Sequence, residues 1–249
     1  MIKLDQVYKT FNKGLATETA ALKNIGLNIA AKEFVVVIGS NGSGKSTLLN
    51  CISGNNMPDS GNIYIDNNDV TQWSEHKRSR FISRIFQNPL NGTAPDLSIL
   101  ENFRLAALRT KRKELSIGTD KYFSNLVREK ISFLKMGLED GIEKPMGSLS
   151  GGQRQALTLI MGIMDDCKIM LLDEPTAALD PRSSVLVMEK AQDIIQKNNL
   201  TALLVTHHLK DALRYGNRLL MMKEGVILND YSSEEKNLLT IEMLAKLFD

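Results

Sequence analysis

Three observations predict an α/β fold with a parallel central sheet, an antiparallel β lobe and an inserted helical subdomain. First, short unbroken apolar runs recur, such as Phe34–Ile38, Ile169–Leu172 and Ala202–Val205, as expected for strands buried on both faces. Second, Phe34–Ile38 leads directly into Gly39-Ser40-Asn41-Gly42-Ser43-Gly44-Lys45-Ser46-Thr47, which reads G-x-x-x-x-G-K-[ST] and is followed by helical spacing through Ile52. That strand–loop–helix order is the setting a phosphate-binding loop requires. Third, the pattern turns mainly helical from Asn88 to Ile163 and then returns to alternating strands and helices. The expected division is a core of residues 1–87 and 164–249, with a helical subdomain at 88–163.

Each element has its own local reason. Residues 2–8 and 23–29 alternate apolar and polar, as half-buried strands do, with a polar loop at Asn12–Thr19 between them. Pro58-Asp59-Ser60-Gly61 is a turn leading into the short strand 62–66, and 82–86 is a further strand ending at Gln87. Asn88–Leu97, with two prolines and a glycine, is a surface loop. Ser98 and Glu101 form a capping box that predicts a helix over about 99–110. Tyr122–Met136 is a second helix, and Ser150 opens a third that runs to about Ile163. Beyond the strand at 168–172, Pro181 suits the first position of a helix reaching Lys197. A strand at 202–205, a short helix at 209–215 and two strands near 217–222 and 225–229, meeting at Glu224-Gly225, complete the core. Thr240 caps a last helix whose apolar stripe is Ile241, Leu244, Leu247 and Phe248.

Bulk properties narrow the class. A chain of 249 residues with 43% hydrophobic and 24% charged content can bury a large core. The net charge of +2 gives no reason to expect a nucleic-acid partner. No apolar run approaches the roughly 20 residues of a membrane span, and Met1-Ile2-Lys3-Leu4 reads as a strand, not a signal peptide. Cys51 and Cys167 read as buried free thiols of a reducing compartment. The runs His76–Arg80 and Arg109–Lys113 read as solvated helix faces, Trp73 as packing and His76 as surface. The methionines Met161, Met164, Met170, Met221 and Met222 read as core filling.

The chemistry follows from residue types. Glycines let the backbone wrap an anion, and a helix N-terminus aims free N–H groups at it. Lys45 would reach the β- and γ-phosphates of a nucleotide, and the Ser46 hydroxyl would hold Mg²⁺. Asp173 and Glu174 follow an apolar strand that delivers them to its C-terminal end, where ligands of open α/β sheets bind. Asp173 would complete the Mg²⁺ shell, and Glu174, one residue off the strand, would polarise water as general base. Leu149-Ser150-Gly151-Gly152-Gln153 is a second anion site, with Ser150 capping a helix whose first N–H groups are left open by two glycines.

With these motifs in this order and spacing, essentially the whole chain resembles the ATP-binding subunits of ABC transporters, a P-loop NTPase family with a RecA-like core. Leu149–Gln153 is identical to that family's signature sequence. The resemblance implies that Gln87 senses Mg²⁺ and the γ-phosphate, that Ala177-Ala178-Leu179-Asp180 is the D-loop, and that His207 is the switch histidine. It places Phe11 where an aromatic stacks on adenine, with Tyr8 as the competing residue. His208 competes with His207, and strand alternation would point the two to opposite sides. The positions that carry two arginines in many members are here Ala156 and Met161, which alters packing beneath the signature helix but leaves the phosphate contacts intact. The stretch Phe86–Pro95 is similar to a branch found beside binding-protein-dependent importers, some linked to aromatic amino acids.

The resemblance implies an ATPase that uses ATP and Mg²⁺ and works as a head-to-tail homodimer, with Ser150–Gln153 of one copy over the γ-phosphate on the other. Partners would be a transmembrane permease and, through it, an extracytoplasmic substrate-binding protein, at the cytoplasmic face of the membrane. The rival expectation is a soluble non-transport member such as an iron–sulfur assembly ATPase. Leu90, Ala94 and Leu97, with Leu100 and Phe103 from the following helix, are expected to line a groove for a short cytoplasmic helix of the permease.

Overall fold

Alternation along the apolar runs builds two cores from one sheet. A computed structural model describes residues 1–109 and 118–247. Strands β1 (Ile2–Phe11) and β2 (Thr19–Ile29) form an antiparallel pair, with Ile2 opposite Ile29 and Leu4 opposite Leu27. Both run further toward their common turn than alternation predicts. The register shifts between Leu4 and Val7, where Gln6 takes φ 49°. That extra residue keeps Val7 on the buried face, as a β-bulge does.

Strand β3 (Phe34–Ile38) leads through the glycine-rich loop into α1 (Lys45–Ser53). Strands β4 (Ser60–Ile65) and β5 (Asn68–Asp69) complete a four-stranded antiparallel sheet in the order β2-β1-β4-β5. Next come α2 (Glu75–Arg78) and β6 (Ile82–Ile85). The helical stretch holds α3 (Ile99–Ala107), α4 (Lys121–Ser132) and α5 (Gly151–Gly162), with short 3₁₀ turns between. Then follow β7 (Ile169–Asp173), α6 (Pro181–Lys197), β8 (Thr201–Val205) and α7 (Leu209–Arg214). The hairpin β9 (Arg218–Lys223) and β10 (Val226–Tyr231) and helices α8 (Ser233–Lys236) and α9 (Ile241–Lys246) close the chain.

The second sheet has six strands in the order β10-β9-β3-β8-β7-β6, parallel except for β10 at its edge. Val35, Val37, Leu171 and Leu203 face the antiparallel sheet and α1. Phe34, Val36, Ile38, Leu172 and Leu204 face the opposite core, which includes α3, α4, α5 and α6. Each strand is buried on both faces, which is why it reads as an unbroken apolar run. The five core-filling methionines are all buried, as their apolar setting predicts.

Several expectations need correction. Arg78 is not solvated: it is fully buried, and its guanidinium donates to the carbonyls of Cys51, Ile52, Thr71 and Trp73. Cys51 and Ile52 lie in the last turn of α1, so this buried cation satisfies carbonyls that the helix end leaves unpaired. Arg109 donates to the Gly162 carbonyl, and residues 110–113 of the second basic run lie outside the described residues. Helix α3 ends at Ala107, before the predicted 110. In α9, Leu244 is buried but Ile241 is 41% exposed, so the last helix docks by a narrower stripe than predicted; Phe248 lies outside the described residues. Trp73 packs against Phe81, while His76 is exposed. Both cysteines are free; Cys51 is buried and Cys167 half-buried.

Candidate functional site

The loop 39–44 owes its shape to glycines at crowded points. Gly44, at the N-cap of α1, takes φ 101°, and a Cβ there would strike the carbonyl of Ala21 in β2. A Cβ on Gly39 would strike the carbonyl of Met222 in β9. Gly225, at the β9–β10 turn, donates its N–H to the Ser43 carbonyl at 3.1 Å, and its own carbonyl accepts from Lys23 N–H at 2.8 Å. The loop is therefore seated on β2, β9 and the β9–β10 turn together. No side chain caps α1, so its first N–H groups point into the open loop, the arrangement that binds phosphate.

Lys45 folds back across the loop, its Nζ donating to the Gly39 and Ser40 carbonyls at 2.9 Å each. Burial lowers its pKa from the ordinary lysine value, opposed by the charges of Glu174 and Asp173. Ser40, Asn41 and Gly42 are exposed, Ser43 is buried, and Thr47 is half-buried on α1. Ser46 Oγ donates to Asp173 Oδ1 at 3.1 Å.

Asp173 ends β7, and Glu174 stands just beyond it with φ 45°, its N–H on the Val205 carbonyl of β8 at 3.0 Å. A left-handed backbone at a residue other than glycine costs of order 1–3 kcal/mol and persists only where its surroundings enforce it. Glu174 Oε2 accepts from Gln87 Nε2 at 3.3 Å and lies 3.2 Å from His207 Nδ1. Gln87 comes from the end of β6 and His207 from the end of β8, so three parallel strands deliver their C-terminal residues to one carboxylate. His207 and His208 do not point to opposite sides. Their ring centroids lie 4.1 Å apart, because β8 ends at Val205 and strand alternation ends with it.

The structure thus brings Lys45, Ser46, Gln87, Asp173, Glu174 and His207 to one end of the sheet. Ser46 Oγ and Asp173 Oδ1 are hard oxygen donors suited to Mg²⁺. Among the described residues, no group of three or more His, Cys, Asp or Glu could hold a metal alone.

Leu149–Gln153 stands apart from this cluster: among the described residues, no hydrogen bond joins it to Gly39–Thr47. Ser150 caps α5 through a capping box with Gln153. Gly152 lies against Ser183 of α6, and a Cβ on Gly151 would sit 3.2 Å from Leu179. Asp180 caps α6; the Ser183 side chain and the N–H groups of Ser183 and Arg182 hold its carboxyl below the usual range. Phe11 ends β1, half-buried, with Lys9 Nζ 5.5 Å from its ring centroid, while Tyr8 is 40% exposed.

Two residues of this region escaped the sequence reading. Arg154 donates to the carbonyls of Met146, Gly147 and Leu149, fixing the loop before Ser150. Arg84 of β6 donates to Asp173 Oδ2 at 2.9 Å. Neither lies in a motif, and a lone arginine carries no local signal of its partner.

A cavity of about 450 Å³ opens between the sheet edge and the helices, lined in part by Arg84, Phe86, Ala94, Leu105, Arg109 and Met161. It differs from the predicted groove. Leu100 and Phe103 are buried in the helical core, Leu90 and Leu97 do not line it, and Leu105, 55% exposed, does.

Comparison with known proteins places these features in a family. The family model described as "ABC transporter" matches residues 22–177. A tyrosine transport ATP-binding protein of Clostridioides difficile is 39% identical over 100% of this chain and 99% of its own length. A phosphonates import ATP-binding protein of Lactococcus lactis subsp. cremoris is 32% identical over 100% of this chain and 98% of its own. Among solved structures, a dimeric post-hydrolysis ATP-binding cassette bound to ADP and Pi superposes with a TM-score of 0.80, at 30% identity, over 94% of this chain and 99% of that one.

Proposed function

The chain belongs to the ABC transporter family, and on that premise we propose a division of labour for its residues, its partners and its direction of transport. It is the ATP-binding and hydrolysing subunit of an ABC transporter. The observation that carries the residue assignments is the convergence of Gln87 and His207 on the carboxylate of Glu174. Glu174 acts as general base on water, and His207 and Gln87 orient that carboxylate. Lys45 and the N–H groups of Gly39–Thr47 hold the phosphates. Ser46, Asp173 and Gln87 would hold Mg²⁺, which would supply charge neutralisation when bound. Phe11 stacks on adenine. Residues 1–87 and 164–249 form the nucleotide core, and 88–163 the helical subdomain.

A single copy surrounds the nucleotide on one side only. Two copies close head-to-tail, so that Ser150–Gln153 of one covers the phosphates held by the other, with Asp180 at the seam. Among the described residues no helix is long and apolar enough to cross a membrane. Association with the membrane is peripheral, through a separate permease that delivers solute from an extracytoplasmic binding protein. The phosphonates import relative favours import, and the tyrosine transport relative favours an amino-acid-like solute. They also favour transport over a soluble assembly ATPase.

The experiment is ATP turnover per mole of chain as a function of chain concentration. Turnover should rise with concentration until dimers dominate. Constant turnover per mole down to the most dilute sample would overturn the shared-site reading.

A further inference from the structure

Arg84 and Asp173 lie on neighbouring parallel strands, β6 and β7. The two oxygens of Asp173 have different partners. Oδ2 accepts from Arg84 Nη2 at 2.9 Å, and Oδ1 accepts from Ser46 Oγ at 3.1 Å. The Arg84 side chain is 11% exposed and that of Asp173 14%, so this ion pair is largely screened from water. The guanidinium carbon lies 4.9 Å from the ring centroid of Phe86, and Nη1 lies 3.5 Å from Ser53 Oγ. A charge-assisted bond between groups held this way is among the stronger hydrogen bonds of a protein.

We propose that Arg84 is a specificity-determining positioning residue that selects Mg²⁺ over Ca²⁺. By occupying Oδ2, it leaves Asp173 only one oxygen, Oδ1, to turn toward the cation. This rests on the assignment of Ser46 and Asp173 to the cation. Mg²⁺ demands near-ideal octahedral geometry, keeps several waters and suits a carboxylate offering one oxygen. Ca²⁺ takes six to eight oxygens and readily binds both oxygens of one carboxylate. Without Arg84 the carboxylate is free to turn and offer both, which favours the larger ion. A purely structural ion pair would cost stability when broken but would leave the ratio of the two ions unchanged.

The test is calorimetric titration of the full chain with ATP plus Mg²⁺ and with ATP plus Ca²⁺, for the native protein, Arg84→Met and Arg84→Lys, with thermal melting as the fold control. Hydrolysis is suppressed by carrying Glu174→Gln throughout. The Met variant should narrow the preference for Mg²⁺ by about tenfold, with weaker binding in Mg²⁺ and equal or tighter binding in Ca²⁺. The Lys variant, which keeps the charge but loses the planar fork, should fall between. An unchanged ratio in Arg84→Met overturns the proposal, even if both affinities fall together. Should the Met variant not fold, an unchanged ratio in Arg84→Lys overturns it instead. Ser46→Ala and Asp173→Asn test the parent assignment separately. If neither alters the Mg²⁺ dependence of ATP binding, the cation site lies elsewhere and both readings fall.

Discussion

His207 and Glu174 meet at the open end of the six-stranded sheet, imidazole Nδ1 to carboxylate Oε2 at 3.2 Å, and Gln87 reaches the same oxygen. A carboxylate held by two strand ends, on a strained backbone, is placed for a task in which its orientation matters. Glu174→Gln keeps the size of the side chain but cannot take a proton. ATP affinity should survive while hydrolysis slows by about 10²–10⁴-fold, the usual scale for a lost general base. An ATP-held dimer should then persist on a sizing column. Near-normal turnover would move the base elsewhere.

Phe11 presents a half-buried ring at the end of β1, whereas Tyr8 is more exposed and lies three residues back along the strand. Phe11→Ala should weaken ATP binding by roughly 1–3 kcal/mol, the worth of one base–aromatic stack. Tyr8→Ala should matter less. The opposite ranking in a binding titration would make Tyr8 the stacking residue.

The cavity between sheet and helices is lined by Leu105, an exposed apolar side chain, together with Ala94 and Met161. A short permease helix would seat there. Leu105→Glu should leave nucleotide affinity of the isolated chain intact, and co-purification with the permease and transport should both fail. Normal assembly and transport by this variant would put the docking surface elsewhere.

Lys236 supplies a pH-dependent test of stability. Its ammonium is buried, donating to the carbonyls of Tyr215 and Gly216, and burial pushes its pKa from 10.5 down to about 8. The unfolded chain therefore keeps this proton in a range where the folded chain has released it. Between pH 8 and 10.5 the unfolded state binds the extra proton, so the contribution of Lys236 shifts toward folding as pH rises through that window. The whole effect is of order 3 kcal/mol. Urea midpoints of the native chain and Lys236→Met, compared across this range, should diverge in that direction. Parallel curves would show that the group titrates alike in both states.

The strands, the phosphate loop and the capped helices were legible because each depends on local pattern: unbroken apolar runs, glycines at fixed spacing, a serine three residues before a glutamate or glutamine. What escaped was long-range. Arg78 sits in a basic run, and nothing nearby reveals that carbonyls of Cys51 and Ile52 wait for it in the last turn of α1. Arg84 likewise needs β7 beside β6 before Asp173 becomes its partner. Leu100 and Phe103 looked available because their burial is decided by α4 and α5, not by α3 alone. The stacked histidines show the converse error: alternation was carried past the end of the strand that justified it.

The seating of the phosphate loop has a consequence for biogenesis. Strand β3 pairs on one side with β8 and on the other with β9, and the loop it carries is braced by Met222 and Gly225. A ribosome adding roughly 5–20 residues per second completes β3 some 10–40 s before it reaches the end of β9. For most of that interval, until β8 is made, Phe34–Ile38 is an apolar strand without either neighbour, the kind of exposed edge that invites aggregation. Contacts of such long sequence separation also make for slow folding. The loop therefore gains its braces at Met222 and Gly225 only after β9 and the turn that follows it have been made.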